Sequence, residues 1–428
     1  MLALLLIAAA HGSLHFIDDD YPKAVAVARA QHKPLFVDFW ATWCHSCLSM
    51  QRFVLSDPGM KPVADQVVWA SIETETEKNK PIVDKYPLDA WPTFLIVDPE
   101  NEKILGRFLG SASVQEIRGF VQEGVRAYRE KGNPDPAWTA QREGDAARNS
   151  GDLKATAEAY GRAVALSKPG DPQRPERLDL YVSALLRLKD YKTCVQTGLK
   201  EARNVPESAV GADFQSYTAG CANELPKDDP DAQKMRELAI ARLREILAKA
   251  DAPLSADDRS DALANLSEML DIAGKHPEAA QAMQERAQVL EKAASAAPDA
   301  TLASTFDAHR MSTYLYLKQP QKAEKLLADR EKQMPGDYNP PARLARVYLE
   351  EKKYPEAEAA VDRALGEMPR SQRRIGILEL KQKILEAQGK PVEKVLREEL
   401  DTLRGLPQPQ RKPKLEAELE AKLGSASR

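Results

Sequence analysis

An apolar run, Pro34 to Trp40, leads almost directly into Trp43-Cys44-His45-Ser46-Cys47, and a helix-patterned stretch follows. Leu35-Phe36-Val37-Asp38-Phe39-Trp40 lacks the in-out alternation of a half-exposed strand and matches a central strand buried on both faces. Two cysteines where such a strand turns into a helix point to thiol chemistry at the strand end. The embedded acid, Asp38, is costly in that setting unless it has a partner or a task.

The flanking segments extend the pattern. Asp18 to Lys33 opens with acids and a proline and then places apolar residues at helical spacing, which predicts a helix over 21–31. The helix after Cys47 should run to about Leu55, with Asp57-Pro58-Gly59 ending it. A strand within 66–72, a short helix near 82–85, a strand opened by Trp91-Pro92, a strand over 104–109 and an amphipathic helix over 114–128 complete the region.

With these elements in place, residues 14–130 resemble the thioredoxin fold. The carriers are Val37-Asp38-Phe39-Trp40, Trp43-Cys44-x-x-Cys47 and, downstream, Trp91-Pro92-Thr93. Lys33-Pro34, Ser56-Asp57-Pro58 and Glu73-Thr74-Glu75 are most similar to the thioredoxin-like domain of envelope disulfide reductases.

The thiolate is the nucleophile in thiol-disulfide exchange. Cys44, at the expected helix start, faces unpaired backbone N–H groups and the positive end of the helix dipole, which favour the thiolate and make it the attacking cysteine. Cys47 is placed to resolve the mixed disulfide. Together they form the expected redox disulfide. For His45 two readings stand: an imidazolium that stabilises the Cys44 thiolate and makes the pair more oxidising, or a solvent-facing side chain with little effect. Ser46 replaces the proline usual in the family.

The resemblance implies further roles. Asp38 corresponds to the buried acid that takes the proton of the resolving cysteine. Pro92 should follow a cis peptide bond, with the backbone of Trp91 pairing with a client strand and Trp43 touching clients. Trp43, His45, Trp91 and Pro92 are therefore the expected substrate-binding residues. Ser71 stands where thioredoxin has a lysine facing the buried acid. A lone Cys-x-x-Cys without a second such pair or a histidine cluster gives no reason to expect a metal, and no cofactor is expected.

Length sets the remainder apart: 428 residues exceed one ordinary core and suggest two to four units. Gly132-Asn133-Pro134-Asp135-Pro136 is a breaker-rich linker, after which Ala, Leu, Glu, Lys and Arg dominate. Gly144-Asp145-Ala146-Ala147 with Ala159-Tyr160 and Ala163, and Leu344 to Tyr348 with Tyr354-Pro355, Ala357, Ala364 and Pro369, have a spacing that resembles the tetratricopeptide repeat. Degenerate copies lie around 178–206, 266–287 and 312–335, and Leu415 to Leu423 reads as a capping helix. The expected fold class is thus an α/β thioredoxin-fold N-terminal domain (13–131), a linker (132–137) and an all-α tetratricopeptide-like helical solenoid (138–428). Such solenoids stack helix pairs into a surface suited to partner segments.

Cys194 and Cys221, in neighbouring predicted helices, read either as two core thiols or as a disulfide. Leu2 to Ala10, followed by His11-Gly12-Ser13, reads as a short export signal over 1–12. That implies an exported, periplasmic protein with no membrane span in the mature chain; a cytoplasmic location is the alternative. A formal net charge of -4 with both signs interspersed argues against nucleic acid as a partner. The expected function is that of an enzyme, a thiol-disulfide oxidoreductase acting as reductase or isomerase on envelope protein disulfides. Its repeats would recruit client proteins, and a redox partner protein would supply electrons. The alternative is a scaffold or chaperone-like binding protein whose head is a docking module.

Overall fold

The structure, a computed structural model, describes residues 14–426 except 89, 130–134, 169, 250–251, 370 and 407–411. The expected export signal and residues 132–134 of the expected linker lie outside the described residues.

The N-terminal part contains β1 (Phe16–Asp18), α1 (Tyr21–Gln31), β2 (Leu35–Trp40), α2 (His45–Ser49), β3 (Val68–Glu73), α3 (Lys80–Lys85), β4 (Thr93–Val97), β5 (Ile104–Leu109) and α4 (Val114–Arg129). The strands form one sheet in the order β1-β3-β2-β4-β5, parallel among the first three and antiparallel at β4 and β5. β2 is central and has Asp38 opposite Ser71 of β3. Its apolar residues are buried on both faces, as a run without alternation requires. Phe36 anchors one layer of the core, with ring centroids 4.6 Å from Trp69 and 5.6 Å from Phe94.

Two local features differ from the sequence expectation. β1 was not anticipated, because three residues are too few to show a period; its place comes from pairing with Trp69, Ala70 and Ser71. The helix after the cysteines does not stay α-helical to Leu55. It widens into a π-helical turn over Met50–Val54, closed by the Leu55 amide donating to the Met50 carbonyl at 2.8 Å.

Beyond α4 the described chain is helical: α5 (Pro136–Ser150), α6 (Leu153–Leu166), α7 (Arg174–Leu188), α8 (Tyr191–Glu201), α9 (Ala209–Asn223), α10 (Pro230–Ala248), α11 (Ala256–Ile272) and α12 (His276–Ser295). Then come α13 (Ala300–Ser304), α14 (Asp307–Tyr316), α15 (Pro320–Gln333), α16 (Asn339–Glu350), α17 (Tyr354–Glu367), α18 (Gln372–Ala387), α19 (Glu393–Gly405) and α20 (Pro413–Ala426). Aspartates 135, 152 and 190 cap α5, α6 and α8 by accepting backbone N–H groups, and Gly151 and Lys189 end the preceding helices in the left-handed region. Gly144 shows why the repeat needs a small residue there: a Cβ would fall on the ring of Tyr160.

The chain forms two compact units, residues 1–73 with 88–282 and residues 74–87 with 283–428. In the first, the sheet and the first repeats share a core. Gly106 of β5 leaves room for Phe120 of α4 and Trp138 of α5, each about where a Cβ would collide at 2.9–3.0 Å. Arg107, also on β5, is fully buried, and its charge is met by Asp145 of α5, which accepts the Tyr160 hydroxyl of α6 at 2.8 Å. Burial pushes the Asp145 carboxyl up to about 6, and Arg107 limits the rise. Ser208 donates to Glu116 of α4 at 2.7 Å, and Val210 of α9 joins the core of the sheet domain.

In the second unit, Asp307 of α14 accepts two bonds from Arg330 of α15, at 2.6 and 3.3 Å. Glu75 accepts from Tyr338 at 2.5 Å and from Ser371 at 2.7 Å. Leu419 of α20 packs with Leu400 and Leu403 of α19, which is the place of a capping helix. Among the described residues no helix is long and apolar enough to cross a membrane.

Cys194 of α8 and Cys221 of α9 are joined by a disulfide within the first unit, both fully buried. The bond closes a loop with a sequence separation of 27. A cross-link over a loop of that length restricts the unfolded chain by about 3 kcal/mol. Replacing both with alanine (Cys194→Ala, Cys221→Ala) should therefore lower stability by about 2–4 kcal/mol in urea titrations. Peptide mapping of the native chain without reductant should recover the two peptides linked.

Candidate active site

Cys44 caps α2 in an extended conformation, and the Cys47 amide donates to its sulfur at 3.1 Å. The two cysteines are bonded to each other. The Cys-x-x-Cys spacing puts them on one turn, and the cap geometry aims a backbone N–H at Sγ of Cys44 in the manner that would stabilise a thiolate. Ser46 Oγ lies 3.6 Å from the same sulfur. The site is enclosed: Cys44 is 3% exposed and Cys47 1%, within a cluster of Ala41, Trp40, Trp43 and Trp91. The ring centroids of Trp43 and Trp91 lie 5.4 Å apart. The Trp91-Pro92 bond is cis, and the Pro92 carbonyl accepts from Gly110 at 3.0 Å.

Asp38 is buried on β2. Its Oδ2 accepts from Gln51 Nε2 at 2.9 Å, whereas Oδ1 has no hydrogen-bond partner among the described residues. Burial pushes the carboxyl up to about 7, with Gln51 opposing and Asp18 adding to the rise. Ser71, its register partner on β3, is uncharged and supplies no counter-ion. Asp38 is therefore poised to exchange a proton near neutral pH.

His45 is partly exposed, but its ring is engaged. Its Nδ1 lies 3.0 Å from Oδ2 of Asp257, a fully buried acid at the start of α11. Two members of the site were not foreseen. Gln51 has a local signal in its position four residues after Cys47, one helical turn along the same stretch. Asp257 has none, since it is 212 residues from its partner.

Two buried carboxyls of the repeat region also titrate above the ordinary range. Burial pushes Asp179 of α7 up to about 8, with Arg148 lowering and Glu116 adding to the shift. Burial pushes Asp258 of α11 up to about 6.

Comparison with known proteins assigns both regions. Residues 16–99 match the thioredoxin-like family model and residues 314–379 a tetratricopeptide repeat model. The chain is 26% identical over 115 residues to the thiol:disulfide interchange protein DsbD of Pseudoalteromonas atlantica, covering 26% of this chain and 18% of that protein. It is 31% identical over 96 residues to thioredoxin Y2, chloroplastic, of Arabidopsis thaliana, covering 22% of this chain and 53% of the relative. The crystal structure of a tetratricopeptide repeat protein from Parabacteroides merdae covers 69% of this chain and 100% of that one, with 12% identity and a TM-score of 0.42. This chain thus spans 18% and 53% of the two relatives' lengths.

The Asp38 environment has a measurable consequence. A carboxyl whose folded pKa is raised favours folding while protonated, and that contribution is lost as pH rises from its ordinary value near 4 through about 7. Asp38→Asn should consequently be more stable than the native chain by roughly 2–4 kcal/mol at pH 8 in urea unfolding, the difference vanishing below pH 4. A difference of equal size at both pH values would show that folding does not raise the Asp38 pKa.

Proposed function

We propose that this chain, a thioredoxin-like domain joined to tetratricopeptide repeats, is a thiol-disulfide oxidoreductase that reduces or isomerises protein disulfides. The observation that carries the reading is the Cys44–Cys47 disulfide at a helix start, with a buried Asp38 of pKa about 7 in the adjoining strand and a cis Trp91-Pro92 bond in the same domain. In the reduced protein the Cys44 thiolate attacks one sulfur of a client disulfide. The client S–S bond breaks, a mixed disulfide forms, and the first client thiolate leaves and takes a proton. Asp38 accepts the proton of Cys47, whose thiolate then attacks Cys44 Sγ. The second client thiolate departs and the Cys44–Cys47 bond forms. Two electrons pass to the client, and a dithiol protein must later return two to the enzyme.

Trp43, Trp91 and the backbone beside Pro92 are the surfaces a client strand would meet. The repeats bind proteins, and tethering them to the redox domain raises the local concentration of clients. The buried Cys194–Cys221 bond, the apolar run Leu2 to Ala10 and the likeness to an interchange protein support an exported, oxidising setting, the periplasm. One observation favours a second reading, a binding protein with the head as docking module: both active cysteines are almost inaccessible.

Reduction of insulin by the full chain with a dithiol donor separates the two. The native chain should turn over, and Cys44→Ser should abolish turnover. Cys47→Ala should accumulate mixed disulfides that Cys44→Ser does not form. Full biological activity of Cys44→Ser with its partners retained would support the docking reading.

A further inference from the structure

His45 is the first residue of α2 and follows Cys44 directly, so whatever sets its charge acts on the neighbouring sulfur. The structure joins it to the repeat region. Nδ1 of His45 lies 3.0 Å from Oδ2 of Asp257, whose side chain is fully buried while the histidine keeps 27% exposure. A carboxylate removed from water needs a donor or an opposite charge, and a hydrogen-bonded imidazolium supplies both.

The start of α11 is held for this contact. Ser255 and Asp258 form a reciprocal cap, with the Ser255 amide donating to Asp258 at 2.9 Å and the Asp258 amide donating to Ser255 Oγ at 3.1 Å. Ser111, in the loop between β5 and α4, hydrogen-bonds Asp258. One turn further on, a carboxylate oxygen of Asp261 lies within 4.8 Å of a ring nitrogen of His45. Two acids at positions i and i+4 of one helix therefore border the same imidazole.

We propose that Asp257 is a positioning residue of the disulfide site: through its bond to His45 Nδ1 it holds the imidazole beside Cys44 in the charged form, so that the repeat region raises the reduction potential of the Cys44–Cys47 pair. The proposal rests on the redox reading given above. Its chemistry follows from the reduced state. When two glutathione thiols become one glutathione disulfide, the Cys44–Cys47 bond breaks to a Cys44 thiolate and a Cys47 thiol. One proton goes to Cys47 and the other to solvent. An imidazolium next to the thiolate stabilises the reduced form, which makes the pair more oxidising.

Asp257 also carries a negative charge that by itself disfavours a thiolate. The two effects have opposite signs. The indirect one dominates if the histidine loses its charge without Asp257, because the ordinary imidazole is mostly neutral at pH 7.

The test is the glutathione equilibrium of the full-length protein at pH 7, read by alkylation and peptide mass so that Cys44–Cys47 is scored apart from Cys194–Cys221. Asp257→Asn should shift the equilibrium constant about tenfold toward the disulfide, which is about 30 mV more reducing for a two-electron couple. His45→Gln should shift it in the same direction by at least as much, because it leaves the Asp257 charge in place, and the double variant should lie no further toward the disulfide than His45→Gln alone. An unchanged constant in Asp257→Asn, a shift of opposite sign, or a further shift toward the disulfide when Asp257→Asn is added to His45→Gln would overturn the proposal. If Asp257→Asn does not fold, Asp257→Glu against His45→Gln gives the same contrast: the glutamate variant should stay near the native constant, and a shift in it as large as that of His45→Gln would count against the linkage. Insulin turnover by the native chain is scored separately. Its absence with an intact potential shift would remove the enzyme reading alone, and its presence with no shift would remove the linkage alone.

Discussion

Arg107 sits on edge strand β5 with no access to water, and the carboxyl that meets its charge, Asp145, belongs to α5 and is held by the Tyr160 hydroxyl of α6. A guanidinium enclosed without a counter-charge would cost several kcal/mol. This face of the sheet is therefore built to be covered by helices that follow it in the chain. Gly106, beside Arg107, has no side chain and so admits Phe120 and Trp138 together. Val210 then extends the apolar core into α9. The first repeats complete the sheet domain as well as following it.

That packing decides what surrounds the cysteines. With α5 on β5 and Val210 of α9 in the sheet core, the start of α11 lies against α2, and Asp257 reaches His45. The turn that carries Cys44 and Cys47 is then assembled from two sources. Backbone geometry at Cys44, Asp38 on β2 and the cis bond before Pro92 come from the sheet domain. The partner of the residue beside Cys44 comes from the repeats. Burial dominates the electrostatics of Asp38 and pushes its carboxyl up to about 7 with Gln51 as its donor, while the fully buried Asp257 has the imidazole of His45 at 3.0 Å.

Much of this was legible in the residues. The unbroken apolar run Leu35 to Trp40 specified a buried central strand, and the cysteines with Trp91-Pro92 specified the site around its end. Helix α1 and strand β5 have the limits their periodicity indicates. Other parts had no local signature. β1 is too short to show alternation, and the π-helical turn at Met50 depends on one backbone bond that no side-chain pattern announces. Glu75 helped to mark the resemblance to disulfide reductases, yet its carboxylate bonds Tyr338 and Ser371 in the repeats.

Sequence alone was enough for the fold class, an α/β head followed by helical repeats, because the buried strand run and the repeat spacing are each written within short windows. Tertiary structure alone settled that Cys194 and Cys221 are bonded, that Arg107 is met from outside the sheet, and that His45 is paired with an acid 212 residues away. Those outcomes depend on how successive helix pairs stack, and each small rotation accumulates along the chain. No window of sequence contains that sum.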